Sequence, residues 1–206
     1  VGDIIELPLS PYRQLVAIRY LNASEAIWNG LQRQCGNNDF HFLITLRSFI
    51  EYTRRGIWFL AWASEEKLKK AEHLTFKDAG SPPLSTMDAL LSEALGQGKI
   101  SPLMNLVPGI NEPFLHCLHA LTHGNPISVR MIGMGLESVF DTKSLLARAE
   151  LDLGIFRILL YRHMAGEEIG GIWAMLSTIH NRPNDIKANV LIAAHILKQS
   201  GNTTSV

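Results

Sequence analysis

The sequence predicts an all-α fold, an up-and-down bundle of about five to seven helices. Three observations carry that expectation. The stretch Asp39 to Ala63 is long and apolar, and its Leu43, Leu46, Ile50, Ile57, Leu60 and Ala61 recur at threes and fours, the spacing of a buried helical stripe. Breaks rich in Gly, Pro and Asn, such as Gly36-Asn37-Asn38 and Gly124-Asn125-Pro126, separate further stretches of helical spacing. No segment shows the apolar–polar alternation of a half-buried strand.

Composition agrees. The chain has 206 residues, 47% of them hydrophobic and 18% charged, enough to bury a sizeable core and too apolar for disorder. It reads as a single domain over 1–206. Lys plus Arg and Asp plus Glu are 19 each, so no global field draws the chain to nucleic acid, and sequence-specific DNA binding is not expected. Two cysteines make no disulfide framework. The apolar runs fall short of the roughly 20 residues that span a bilayer, and no signal-peptide pattern is read at the start. A cytoplasmic protein without membrane contact is the expectation.

The elements follow in order. Residues 1–9 read as an extended lead-in. Ser10-Pro11 has the pattern of an N-cap with Pro at the first helical position, and the helix runs to Gln34 on Leu15, Ile18, Leu21, Ile27 and Leu31. Asp39 is the expected cap of the central helix, which should be buried on most sides. Ser64 to Lys77 reads as its solvated continuation, because Glu65 and Glu66 precede Lys69 and Lys70 by one helical turn. After Gly80-Ser81-Pro82-Pro83, a short helix spans Ser85 to Leu95. Residues 99–111 look irregular, and a helix follows from Pro113 to Thr122 or His123. Another short one lies in 127–139, weakened by Gly133 and Gly135. Asp141 or Thr142 caps a long helix to Ala165. Its stripe is Leu145, Leu146, Ala149, Leu153, Phe156, Leu159 and Leu160. Gly166 and Gly170-Gly171 punctuate the chain before a helix over Ile172 to His180, and a last helix spans Asn184 to Gln199. Residues 200–206 form a mobile tail.

Three polar constellations stand out. Arg47 and Glu51 share a face of the central helix, about 40° apart in azimuth. They form either an intrahelical ion pair or the wall of a polar pocket offering a cation to an anionic ligand. His116, His119 and His123 share a face of a later helix. Three imidazoles and Glu51 have the chemistry of a metal site, but His116 and His123 stand about 10 Å apart along the axis. No metal and no other cofactor is expected. The four tryptophans sit among aliphatics, with no basic patch interleaved as single-strand binders require.

The third constellation is RILLYRH, Arg157 to His163. It resembles the Arg-x4–6-His motif of the HEPN superfamily, small helical bundles that include metal-independent ribonucleases. In that chemistry the histidine handles a proton at the ribose 2′-hydroxyl or the leaving oxygen, and the arginine stabilises the phosphate. The position after the arginine, usually polar in the family, is Ile158 here. The order of elements over about residues 10–165 is also similar to that of uncharacterised bacterial HEPN-like proteins. These have a long apolar helix carrying Arg-x-x-x-Glu, here Arg47 to Glu51, then a charged extension. A later helix ends in a histidine before Gly, Asn or Pro, here His123-Gly124-Asn125-Pro126. The resemblance implies an RNA-cleaving or nucleotide-binding component of bacterial defence, with RNA or a nucleotide as ligand and a homodimer as assembly. Arg47, Glu51 and His123, and secondarily Arg157 and His163, are its implied catalytic residues. The competing readings are a non-catalytic interaction module whose buried charges specify packing, and a metal-binding helical bundle.

Overall fold

The computed structural model describes residues 11–72, 81–96 and 114–180. The lead-in, the irregular stretch 99–111, the final helix and the tail all lie outside the described residues. So does the break's Gly80.

Within them the chain is all α-helical, and the centre is a three-helix contact. Helix α1 spans Pro11–Gln34, α2 Asp39–Ala61 and α8 Thr142–Met164. Arg13, at the start of α1, donates from Nη1 to the carbonyls of Phe59 (2.9 Å) and Leu60 (3.1 Å) and from Nη2 to that of Ala63 (2.7 Å). Midway along, Thr53 Oγ1 donates to Ser24 Oγ at 3.2 Å. The first two helices are therefore antiparallel. The three meet at Gly56, where an added Cβ would overlap the Phe156 ring and stand 2.8 Å from Tyr20 Cβ. Only glycine permits so close an approach of backbone to ring.

All six expected stripe residues of α2 are buried, as are Ala149, Leu153, Phe156, Leu159 and Leu160 of α8. Val16, Ala17 and Trp28 of α1 are also buried. Of the expected α1 positions, Leu21 and Leu31 are buried, Ile18 and Ile27 are half-buried against the core, and Leu15 alone is exposed. The reason is Arg13, whose bonds to the end of α2 turn its own side of the helix inward.

The smaller helices are α3 (Glu65–Glu72), α4 (Leu84–Ala94), α5 (Phe114–His123), α6 (Pro126–Gly133), α7 (Leu136–Val139) and α9 (Ile169–His180). The described residues thus hold nine helices, more than the five to seven expected. Two splits account for the excess. The expected continuation of α2 is a separate helix: α2 stops at Trp62, and α3 folds back along α1 with Leu68 fully buried. Gly135, at φ 78°, divides residues 127–139 into α6 and α7. Conversely, Gly170 and Gly171 lie inside α9 rather than before it.

Caps follow side-chain chemistry. Asn38, not Asp39, caps α2, its Oδ1 accepting from the His41 N–H at 3.1 Å. Asp141 caps α8 by accepting from the Lys143 and Ser144 N–H groups. Asn125 caps α6 in the same way after Gly124, at φ 63°, has ended α5. Among the described residues no helix is long and apolar enough to cross a membrane.

Candidate functional site

The polar face of α2 is built by helical periodicity. Arg47, Glu51 and Arg55 are spaced by four, so they form one row on the side of α2 away from the stripe. Glu51 holds both arginines. Its Oε2 accepts from Arg47 Nη1 at 3.2 Å, and its Oε1 accepts from Arg55 Nη2 at 2.7 Å and Nε at 3.2 Å. Arg55 also donates to the Ser81 hydroxyl. The row is half-open, with side-chain exposures of 20% for Arg47, 36% for Glu51 and 25% for Arg55. The expectation that α2 is buried on most sides therefore fails along this row.

Helix α5 lies against α2 and brings its histidines toward the row. His119 and His123, one turn apart, have ring centroids 4.3 Å apart at 53°. The His119 imidazole is held below its ordinary value by desolvation, then by the positive character of His123 and Arg47 and by His116, with Glu51 opposing. His119 thus stands within electrostatic reach of both Arg47 and Glu51, and His123 joins the row through the His119 ring. On the opposite flank, Tyr20 of α1 packs against Tyr52 at 5.9 Å between centroids. Its hydroxyl is pushed up by burial, with Arg55 opposing.

The structure does not bring Arg157 and His163 into this site, nor to each other. Arg157 Nε donates to Glu25 Oε1 of α1 at 2.9 Å. His163 is buried near Arg13, twelve residues from Glu25 on the same helix. Those two partners are about 18 Å apart along α1. A six-residue spacing on a regular helix also turns the two side chains about 120° apart.

Sequence reasoning did not single out the most deeply placed charges. Arg54 Nε–H donates to Asp88 Oδ1 of α4 at 2.7 Å, and its Nη2 donates to Asp152 Oδ2 of α8 at 3.0 Å. All three are buried, and Arg148 approaches Asp152 Oδ1 at 3.6 Å from the rim. Burial works against the Arg54 charge, but Asp152 and Asp88 outweigh it and raise the guanidinium above its ordinary value. The signal was in the spacing. Arg54 follows Ile50 by four and precedes Ile57 by three, and Asp152 follows Ala149 by three and precedes Phe156 by four. Each sits on an apolar stripe.

Chemically, the half-open row can do what the sealed network cannot. Two guanidinium forks match phosphate oxygens, and an imidazole kept neutral near physiological pH can accept a proton. Among the described residues, no three His, Cys, Asp or Glu side chains converge as a metal-binding group. No protein-family profile, curated protein or solved structure matches this chain.

Proposed function

We propose that the α2–α5 face is a phosphate-directed site and that the chain is a HEPN-like protein of bacterial defence, acting on RNA or a nucleotide without a metal. The observation that carries this reading is that one carboxylate, Glu51, holds two arginine forks on a half-open surface with His119 within electrostatic reach. Arg47 and Arg55 bind the phosphate. His119 and His123 supply the proton-transfer groups beside it. In this proposal the protein works in the cytoplasm and as a homodimer. Arg157 belongs to a helix-pairing ion pair rather than to the site.

The test is binding and cleavage of single-stranded RNA, and binding of nucleotides, in the presence of chelator. Arg47→Ala and Arg55→Ala should each weaken binding at least tenfold with the helical content unchanged. Wild-type protein that neither binds nor cleaves either ligand overturns the proposal.

A second reading, a non-catalytic interaction module, is favoured by a different observation. Val129 and Ile132 of α6 are 68% and 51% exposed, and Met134 follows them at 43%. Alanine at these three positions should then abolish self-association or partner binding and leave RNA binding untouched.

A further inference from the structure

One corner of the bundle gathers buried polar atoms that the proposed site does not use. The His163 ring, near the end of α8, is 4% exposed. Its Nδ1 lies 3.4 Å from the Glu167 carbonyl oxygen. A carbonyl only accepts, so Nδ1 carries the proton in the neutral ring and Nε2 carries the lone pair. Nε2 is buried without a hydrogen-bond partner among the described residues, as are Arg13 Nε and Trp173 Nε1. Arg13 is fully buried and holds the last carbonyls of α2. Trp173 of α9 stacks on Trp62, the residue that closes α2, at 5.4 Å and 23°. His163, Arg13 and the Trp62–Trp173 pair therefore all converge on the C-terminal end of α2.

Among the described residues, the charged groups around the ring are few. From α1 comes Arg13, with Glu65 of α3 at 3.7 Å on it. From α8 itself comes Arg162, paired to Glu167 at 2.6 Å. The α8–α9 turn offers the ring only the Glu167 main-chain oxygen. Helix α9 offers no ionisable side chain over Ile169–Thr178. No carboxylate is in hydrogen-bond contact with the ring among the described residues.

We propose that His163 is an acid-triggered latch: protonating it releases the α8–α9 corner from the end of α2 and separates Trp173 from Trp62. Protonation turns Nε2 into a second buried donor that has no acceptor among the described residues, and it sets an imidazolium beside a buried guanidinium. Both effects disfavour the closed corner. The exit is short, because Met164, Ala165, Gly166 and Glu168 of the connecting turn are exposed and Gly166 already sits at φ 90°. Desolvation first, and then Arg13, hold the ring below its ordinary value of 6.5, against the pull of the Glu167 carbonyl. The opened state binds the proton more tightly than the closed one. The closed corner is therefore fully favoured above about pH 6.5 and is progressively lost as pH falls below it.

The experiment uses the full chain between pH 7.5 and 5.5, above the range of ordinary carboxylates. Tryptophan emission and the hydrogen exchange of α9 amides are followed in wild type, His163→Gln and His119→Gln. As pH falls, the latch predicts a shift in emission and a loss of protection confined to α9, taken relative to the intrinsic exchange rate at each pH, in wild type and in H119Q, and neither change in H163Q. Wild-type emission and α9 protection that do not change with pH overturn it, as does an H163Q protein that changes as wild type does. Should H163Q fail to fold, the His163 ring is titrated by NMR in wild type. A midpoint below 6.5 that coincides with the exchange of α9 supports the latch, and a midpoint at or above 6.5, or one that does not coincide, overturns it.

Discussion

Arg54 Nε–H donates to Asp88 Oδ1 at 2.7 Å, in a place where neither side chain exceeds 1% exposure. With Asp152 on its other fork, Arg54 joins α2 to α4 and to α8 through charge rather than through apolar contact. Such a group costs desolvation whether or not it is paired, so removing one partner leaves a buried cation under-compensated. Asp88→Ala and Asp152→Ala should each lower stability by about 3–5 kcal/mol in urea unfolding. Replacing Arg54, Asp88 and Asp152 together by apolar residues of similar volume should cost much less than either single change. A loss below about 1 kcal/mol for both single variants would mean that water reaches the network.

Gly56 marks the closest approach of the three central helices. A methyl group there would meet the Phe156 ring and the Tyr20 Cβ, and the latter is anchored to the backbone of α1. Gly56→Ala gains helix propensity on paper, up to about 1 kcal/mol. Overpacking should outweigh that gain, for a net loss of about 1–3 kcal/mol. Phe156→Leu in the same background should recover part of it, because the ring is one of the two obstructions. A G56A protein more stable than wild type would place the three helices farther apart than the structure has them.

Leu60 is fully buried near the end of α2, in the same turn whose carbonyls Arg13 caps. Leu60→Ala should cost about 2–5 kcal/mol, through lost transfer energy and the cavity left behind. Leu15→Ala is the matched control. The sequence spacing places Leu15 and Leu60 alike on apolar stripes, but Leu15 is exposed. It should cost less than about 0.5 kcal/mol. Equal losses at the two positions would restore the stripe expected from spacing alone.

That contrast shows what was legible. Apolar spacing located α2 and α8 to within a residue or two because their stripes are continuous and dictated by local periodicity. It misplaced Leu15 at the start of α1, because one long-range interaction, Arg13 to the Phe59 and Ala63 carbonyls, sets the rotation of that end of the helix. It joined α3 to α2 because an exposed charge pattern is the same whether a helix continues or folds back. The deciding residue is Leu68, buried between charged neighbours. The Arg47–Glu51 pair was legible as a pair, since four residues bring any two side chains together on a helix. That Arg55 shares the same carboxylate was equally available in the spacing. That His119 comes within electrostatic reach of the row was not, because it depends on how α5 docks on α2. The Arg157–His163 spacing matched a motif whose geometry requires convergence, and each residue instead answers to a different part of α1.

Glu51 separates the structural and functional readings of the α2 row in one substitution. Its pairs with Arg47 and Arg55 are half-exposed, so Glu51→Gln should cost less than about 1 kcal/mol in unfolding free energy. Had the pair been buried, the loss would be about 3–5 kcal/mol. The same change removes the one carboxylate that occupies both guanidinium forks and raises the local charge by one. If Arg47 and Arg55 bind phosphate, E51Q should bind single-stranded RNA or nucleotide more tightly than wild type. The gain should shrink as salt is raised, because the interaction is electrostatic and partly open to solvent. If Glu51 also acts on a proton during cleavage, turnover should fall while affinity rises, a split that no purely structural role produces. Unchanged stability together with unchanged binding at low salt would mean that Arg55 is held for Ser81, that both arginines serve packing, and that the phosphate lies elsewhere.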